Sequence, residues 1–133
     1  RSMVLHLRYG QRSLLLPADI SVPAEDRLVA AGRDLQSDML VAPHHGSATS
    51  TGPALMGAVS PAVVAVSVSR ARRGTLPAPE HLQAWRAQGR TVMTTGDQGT
   101  LVLSTDGHDL RLVPFTGKPM NFRAQDGMVV REN

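Results

Sequence analysis

Hydrophobic and polar positions along this chain fall into short runs whose period switches between two and about 3.6 residues. From Met3 to Tyr9 apolar residues carry single polar interruptions, which predicts a strand. Gly10-Gln11 makes a turn, and Arg12–Leu16 a second strand that closes a hairpin. Pro17-Ala18-Asp19 ends it. Ser21 then reads as an N-cap, with Pro23, Glu25 and Asp26 in the first helical turn. Leu28, Val29 and Ala31 supply the buried face of that helix, and Gly32 stops it. Asp38–Ala42 is a short apolar run, as for a strand buried on both faces. A loop, Pro43-His44-His45-Gly46-Ser47, leads to a short helix over Pro53–Val59. Ala62–Val68 is valine-rich and gives the strongest strand signal. A basic loop, Arg70–Pro79, precedes a helix over Pro79–Gln88 that Gly89 closes. Thr91–Thr94, Thr100–Ser104 and Leu110–Val113 complete the strands, with turns at Gly96–Gly99 and Asp106-Gly107. Beyond Thr116 the periodicity fades, and residues 116–133 are expected to form a loosely ordered tail behind one unit spanning 1–115.

The resulting order, β-β-α-β-α-β-α-β-β-β, argues an α/β architecture: a mixed sheet with helices packed on it. The 133 residues allow one modest core. No window reaches the roughly 18 apolar residues of a membrane-spanning helix, so this stretch is expected to be soluble. The first residue is Arg1, and the chain reads as a piece of a larger protein. With no cysteine, disulfides, thiolate metal sites and a cysteine nucleophile are excluded. The net charge of +3 comes almost wholly from arginine, Lys118 being the one lysine. An arginine excess suits a phosphate-bearing partner, although arginine-rich codon usage gives the same bias. Four aromatic residues are too few for a base-stacking platform.

The chemistry is concentrated at strand exits. Asp19 follows one strand; His44 and His45 follow another. In α/β sheets, ligand sites gather at the carboxyl ends of strands. A carboxylate and imidazoles meeting there suit Zn²⁺ or Mn²⁺ and metal-assisted hydrolysis. Ser47 and Thr49 could donate hydrogen bonds to phosphate oxygens, and Arg70, Arg72 and Arg73 could line a phosphate track. Plainer roles exist for each: an Asp after a strand also serves turns and helix caps, a His pair also faces solvent, and neighbouring side chains diverge, so one ion rarely takes both. His6, His81 and His108 read as structural or solvent-facing.

Five stretches together resemble a known family. They are R-S-M-V-L-H-L-R-Y-G-Q-R-S-L-L-L-P-A-D-I, D-M-L-V-A-P-H-H-G-S-A-T-S-T, P-A-V-V-A-V-S-V-S, P-A-P-E-H-L-Q-A-W-R-A-Q-G and T-T-G-D-Q-G-T-L-V-L. In order and spacing they resemble the C-terminal metallo-β-lactamase-like domain of ComEC-family DNA-uptake proteins, over about residues 1–104. The resemblance implies half of an αββα sandwich, residues 1–115 being its second half. It implies a bacterial inner-membrane protein whose C-terminal domain is a metal-dependent nuclease or phosphodiesterase acting on DNA. Asp19 then matches a metal ligand that bridges two Zn²⁺ or Mn²⁺ ions, and His44 and His45 match the active-site His pair. The partners implied are DNA and the rest of the same polypeptide, including the first half of the domain and a membrane channel.

Three departures shape the expectation. The family's upstream His-x-His-x-Asp-His motif is absent, so the chain holds a minority of the ligands and is expected to be inactive by itself. The Gly that usually precedes the Asp is Ala18, a small change if φ there is negative. Leu76 stands where a family His is expected, which raises an alternative: a catalytically degenerate module that guides DNA or supports a channel. A half-sandwich would also expose the face of its sheet, so the chain is expected to form a homodimer through it or to be a cleavage remnant.

Overall fold

The computed structural model describes residues 2–72, 75–125 and 128–131. Strands β1 (Leu5–Tyr9) and β2 (Arg12–Leu16) form the expected antiparallel hairpin. Three strand–helix crossovers follow: α1 (Val22–Ala30) to β3 (Met39–Val41), α2 (Pro53–Val59) to β4 (Val63–Val66), and α3 (Pro79–Ala87) to β5 (Thr91–Thr94). Strands β2 to β5 run parallel, in the spatial order β1-β2-β3-β4-β5. The mixed sheet with helices packed on it is therefore the architecture that the strand–helix alternation implies.

Period-two alternation builds the two faces. Leu15, Leu40, Val64 and Val66 point to one side and bury against Leu55, Met56 and Val59 of α2 and Trp85 of α3, with Leu28 and Val29 of α1 at the margin. Met39, Val63, Ala65 and Met93 point to the other. All four residues of β4 are buried, which is why its sequence carries no polar alternation.

The second face is covered by a separate sheet. A single helical turn, α4 (Thr95–Gln98), redirects the chain after β5. Then β6 (Leu101–Thr105), β7 (Leu110–Pro114), β8 (Met120–Gln125) and β9 (Met128–Arg131) form an antiparallel sheet in sequential order. Leu110, Leu112 and Phe122 seat on Met39, Val63, Ala65 and Met93. At one end the two hairpin turns lock together: Gln11 N–H donates to Gly107 O at 2.7 Å. A Cβ on Gly10, whose φ is 57°, would stand 2.5 Å from the same oxygen, so that position needs glycine.

This corrects two expectations. The loose tail over 116–133 instead carries β8 and β9, and β8 pairs with β7 across the boundary expected at 115. The stretch is hard to read because only Met120 and Phe122 mark the inward side of β8, yet Phe122 is 1 % exposed. Nor does the first sheet lie bare, since β6–β8 cover it over β3 to β5. What stays open is the same face of β1. Leu5 and Leu7 pair in register with Leu16 and Leu14 and share their side of the sheet, and Leu5, Leu7 and Tyr9 are all exposed.

Candidate functional site

Because β2 to β5 are parallel, their carboxyl ends open on one edge. The loops leaving them carry Ala18-Asp19, His44-His45, Ser67–Arg70 and Thr95–Gln98. The first two loops are stitched by their backbones, with His44 N–H donating to Ala18 O at 3.1 Å.

The backbone here is unusual. Ala18 (φ 55°), His44 (50°), His45 (57°) and Thr51 (59°) are four of the five non-glycine residues with positive φ among the described residues. An L-residue held there costs about 1–2 kcal/mol, and such strain clusters where a structure must aim side chains. Ala18 was expected to be an easy replacement for glycine if its φ were negative. Its φ is positive, so it carries strain that glycine would not.

Rigid contacts hold the His loop in this shape. Ser50 Oγ, buried, bonds Pro43 O at 2.8 Å and Ser47 O at 2.9 Å. Val22 N–H donates to Thr49 O at 3.0 Å, and Ala78 N–H to Gly46 O at 2.9 Å. A Cβ on Gly46 would stand 2.7 Å from Pro77 Cβ, so this glycine lets the 75–79 segment close on the loop. Leu76, half-buried, therefore lies in the segment that abuts the histidines.

His45 and Asp19 are brought together. His45 Nδ1 lies 2.7 Å from Ser67 O. A carbonyl only accepts, so Nδ1 carries a hydrogen and the neutral ring leaves Nε2 as a bare lone pair. That Nε2 stands 4.0 Å from Asp19 Oδ1, beyond hydrogen-bond reach, with both side chains about half exposed or more. An imidazole anchored through one nitrogen and facing a carboxylate with the other is the donor arrangement seen around bound metals. Asp19 and His45 thus fit a borderline cation, but supply only two of the four or more donors it takes. His44 is exposed on the same loop. Among the described residues no group of three or more metal-ligating side chains converges.

The hydroxyls and arginines divide. Ser47 Oγ and Thr49 Oγ1 lie 3.1 Å apart at the loop surface and bond each other. Arg70 is exposed, and its Nε donates to Gly96 O at 2.7 Å. It lines a recess of about 340 Å³ beside Ser69, Thr95 and Asp97. Arg72 ends a single helical turn, Arg70–Arg72, its side chain lying outside the described residues, as does the whole of Arg73.

Two features of the edge escape sequence reading. The Ser67 carbonyl that orients His45 is a main-chain atom with no residue signature. Glu25, expected only as an acid near the positive end of α1, is fully buried and bonded to the His loop. Its signal was present: Glu25 stands three and four residues before Leu28 and Val29, on the apolar stripe.

Fold and edge define the class: an α/β domain whose parallel strands present a carboxylate and an imidazole at their carboxyl ends. No family model matches the chain. Over 112 residues, 84% of its length, it is 30% identical to the uncharacterized protein YcaI of Escherichia coli (strain K12). Over 102 residues, 76% of its length, it is 33% identical to the competence protein ComA of Neisseria gonorrhoeae. The chain spans about 15% of the length of each.

Proposed function

We propose that this chain is part of a ComEC-like competence protein acting in DNA uptake, and that its carboxyl edge is a partial metal site of a metallo-β-lactamase-like phosphodiesterase or nuclease. Similarity to the Neisseria competence protein supports the first half. The single observation that carries the second is His45, tied to Ser67 O through Nδ1 with Nε2 facing Asp19 at 4.0 Å on strained backbone. Asp19 and His45, with His44 beside them, would hold Zn²⁺ or Mn²⁺. Such an ion, when bound, brings the pKa of its water toward neutrality. Around it, Ser47, Thr49 and Arg70 are the groups that would orient a phosphate, Arg70 being steadied by Gly96 O.

The missing ligands come from the rest of the same polypeptide. The open apolar face of β1 supports this, since Leu5, Leu7 and Tyr9 are exposed and outside the core that β6–β8 form with the first sheet. No helix among the described residues is long and apolar enough to cross a membrane. In this reading the chain belongs to a soluble domain of a bacterial inner-membrane protein.

A second reading, a degenerate module with a DNA-guiding or structural role, is favoured by Leu76. It precedes Pro77, which closes on Gly46 of the His loop, and leucine can neither ligate nor move a proton.

The test is DNA cleavage by the chain extended with its encoded upstream sequence, with Mn²⁺ or Zn²⁺ added. Asp19→Ala and His45→Ala are expected to bring cleavage to background. Cleavage that ignores both substitutions overturns the site. Absence of metal-dependent cleavage, restored by Leu76→His, establishes the degenerate reading.

A further inference from the structure

Glu25 is the most deeply buried charged group of the described chain, at 0 % exposure. It lies in the first turn of α1, yet its carboxylate serves another element. Oε1 accepts the Thr51 N–H at 2.6 Å, and Oε2 the Gly52 N–H at 2.7 Å. Both donors end the His loop, and Thr51 is one of its left-handed residues.

Burying a carboxylate is costly unless its oxygens are bonded, and here each has a short bond from a backbone amide. A carboxylate is the group that suits both. A neutral amide would turn an NH₂ toward one of the two N–H donors. Gly52 is the N-cap of α2 and offers no side-chain cap of its own. A Cβ there would be tight against both Val22 Cγ2, at 3.2 Å, and Glu25 Oε2, at 3.3 Å. A serine or aspartate at 52 would accept from amides two or three residues into α2, not from the Thr51 and Gly52 N–H groups. For those two the chain brings the acceptor from the helix launched by the Asp19 loop.

Among the described residues, four hydrogen bonds join residues 18–25 to residues 44–52. Two are main-chain bonds, His44 N–H to Ala18 O and Val22 N–H to Thr49 O. The other two end on the Glu25 carboxylate. Together they fix the loop bearing Asp19 relative to the loop bearing His45, and Glu25 is the residue that does so by side-chain hydrogen bonds. We propose that Glu25 is a positioning residue: its buried carboxylate bolts the His44–Gly52 loop to α1 and so sets the His45 imidazole toward Asp19. Only the metal readout below rests on the proposed metal site.

The experiment compares the 133-residue chain with Glu25→Gln, Glu25→Asp and, as a control, Leu112→Ala, which weakens the core far from the loop. The first readout is the His45 tautomer by ¹⁵N NMR. The wild type is expected to hold the hydrogen on Nδ1. Glu25→Gln is expected to give mixed tautomers and fast exchange of the Thr51 and Gly52 amides, while Leu112→Ala keeps the wild-type tautomer. The second readout is Mn²⁺ broadening of the His44 and His45 ring signals, with apparent affinity about 10–100-fold weaker in Glu25→Gln. Should Glu25→Gln fail to fold, Glu25→Asp, which keeps the charge and reaches one amide, is expected to show the same tautomer change in part. An unchanged tautomer in the folded Glu25 variants, or an equal change in Leu112→Ala, overturns the proposal. A wild type that shows the fixed tautomer but no Mn²⁺ broadening defeats the metal reading and leaves the positioning role to be decided by the first readout.

Discussion

Ala18, His44, His45 and Thr51 hold side chains in left-handed backbone, and three of them lie within two residues of the atoms that meet at the carboxyl edge. At Ala18 the strain can be measured without disturbing any side-chain contact. Ala18→Gly is expected to raise unfolding stability by about 0.5–1 kcal/mol, the relief of 1–2 kcal/mol being offset by the freer unfolded chain. Urea denaturation checks this; a loss of stability would mean that φ at 18 is negative. The same residues show what a sequence can carry. Asp19, His44 and His45 were legible as a group because residue type and strand exit coincide. The sign of φ at Ala18 was not, since alanine ordinarily sits at negative φ and the positive value shows only in the fold, where Ala18 O accepts the His44 N–H. The partner of His45 was illegible for a different reason, because the atom that orients it belongs to the backbone.

Among the elements, the crossovers from β2 to β5 were readable from apolar runs, Pro at helix starts and Gly at helix ends. The second sheet was not. Its strands β6 and β7 were legible singly, but nothing local says whether a hairpin continues one sheet or turns back over it. Strand β8 was missed because its inward residues, Met120 and Phe122, sit among glycine, proline and charges that weaken the period. Phe122 tests the assignment. Its ring is buried with Leu110 and Leu112 against Met39 and Val63. Phe122→Ala is expected to cost about 3–5 kcal/mol in a urea titration. A change below about 0.5 kcal/mol would restore the loose tail. Helix α1 shows the reverse case, where the stripe was legible but Glu25 on it was read only as an acid near the positive helix end.

At the scale of the molecule, helices cover one side of the first sheet and β6–β8 cover the other over β3 to β5. The exception is the edge strand β1, which combines exposed Leu5, Leu7 and Tyr9 with the end position in its sheet. Such an edge is a template for another strand. The chain by itself is therefore expected to self-associate as its concentration rises, and Leu7→Lys to shift light scattering toward the monomer. Scattering from a concentration-independent monomer in the wild type would show that β1 needs no cover. With the upstream polypeptide attached, the same substitution is expected to impair assembly.

Three of the bonds that frame the carboxyl edge are between main-chain atoms: His44 to Ala18, Val22 to Thr49, Ala78 to Gly46. To that extent the frame is indifferent to the exposed side chains it displays. On the proposed function, a lineage could exchange a ligating residue for an inert one, as the resemblance implies for Leu76, and inherit the same loops in the same places. Loss and recovery of chemistry then lie a few substitutions apart on one unchanged scaffold, so descendants that cut and descendants that merely hold can share an ancestor without refolding.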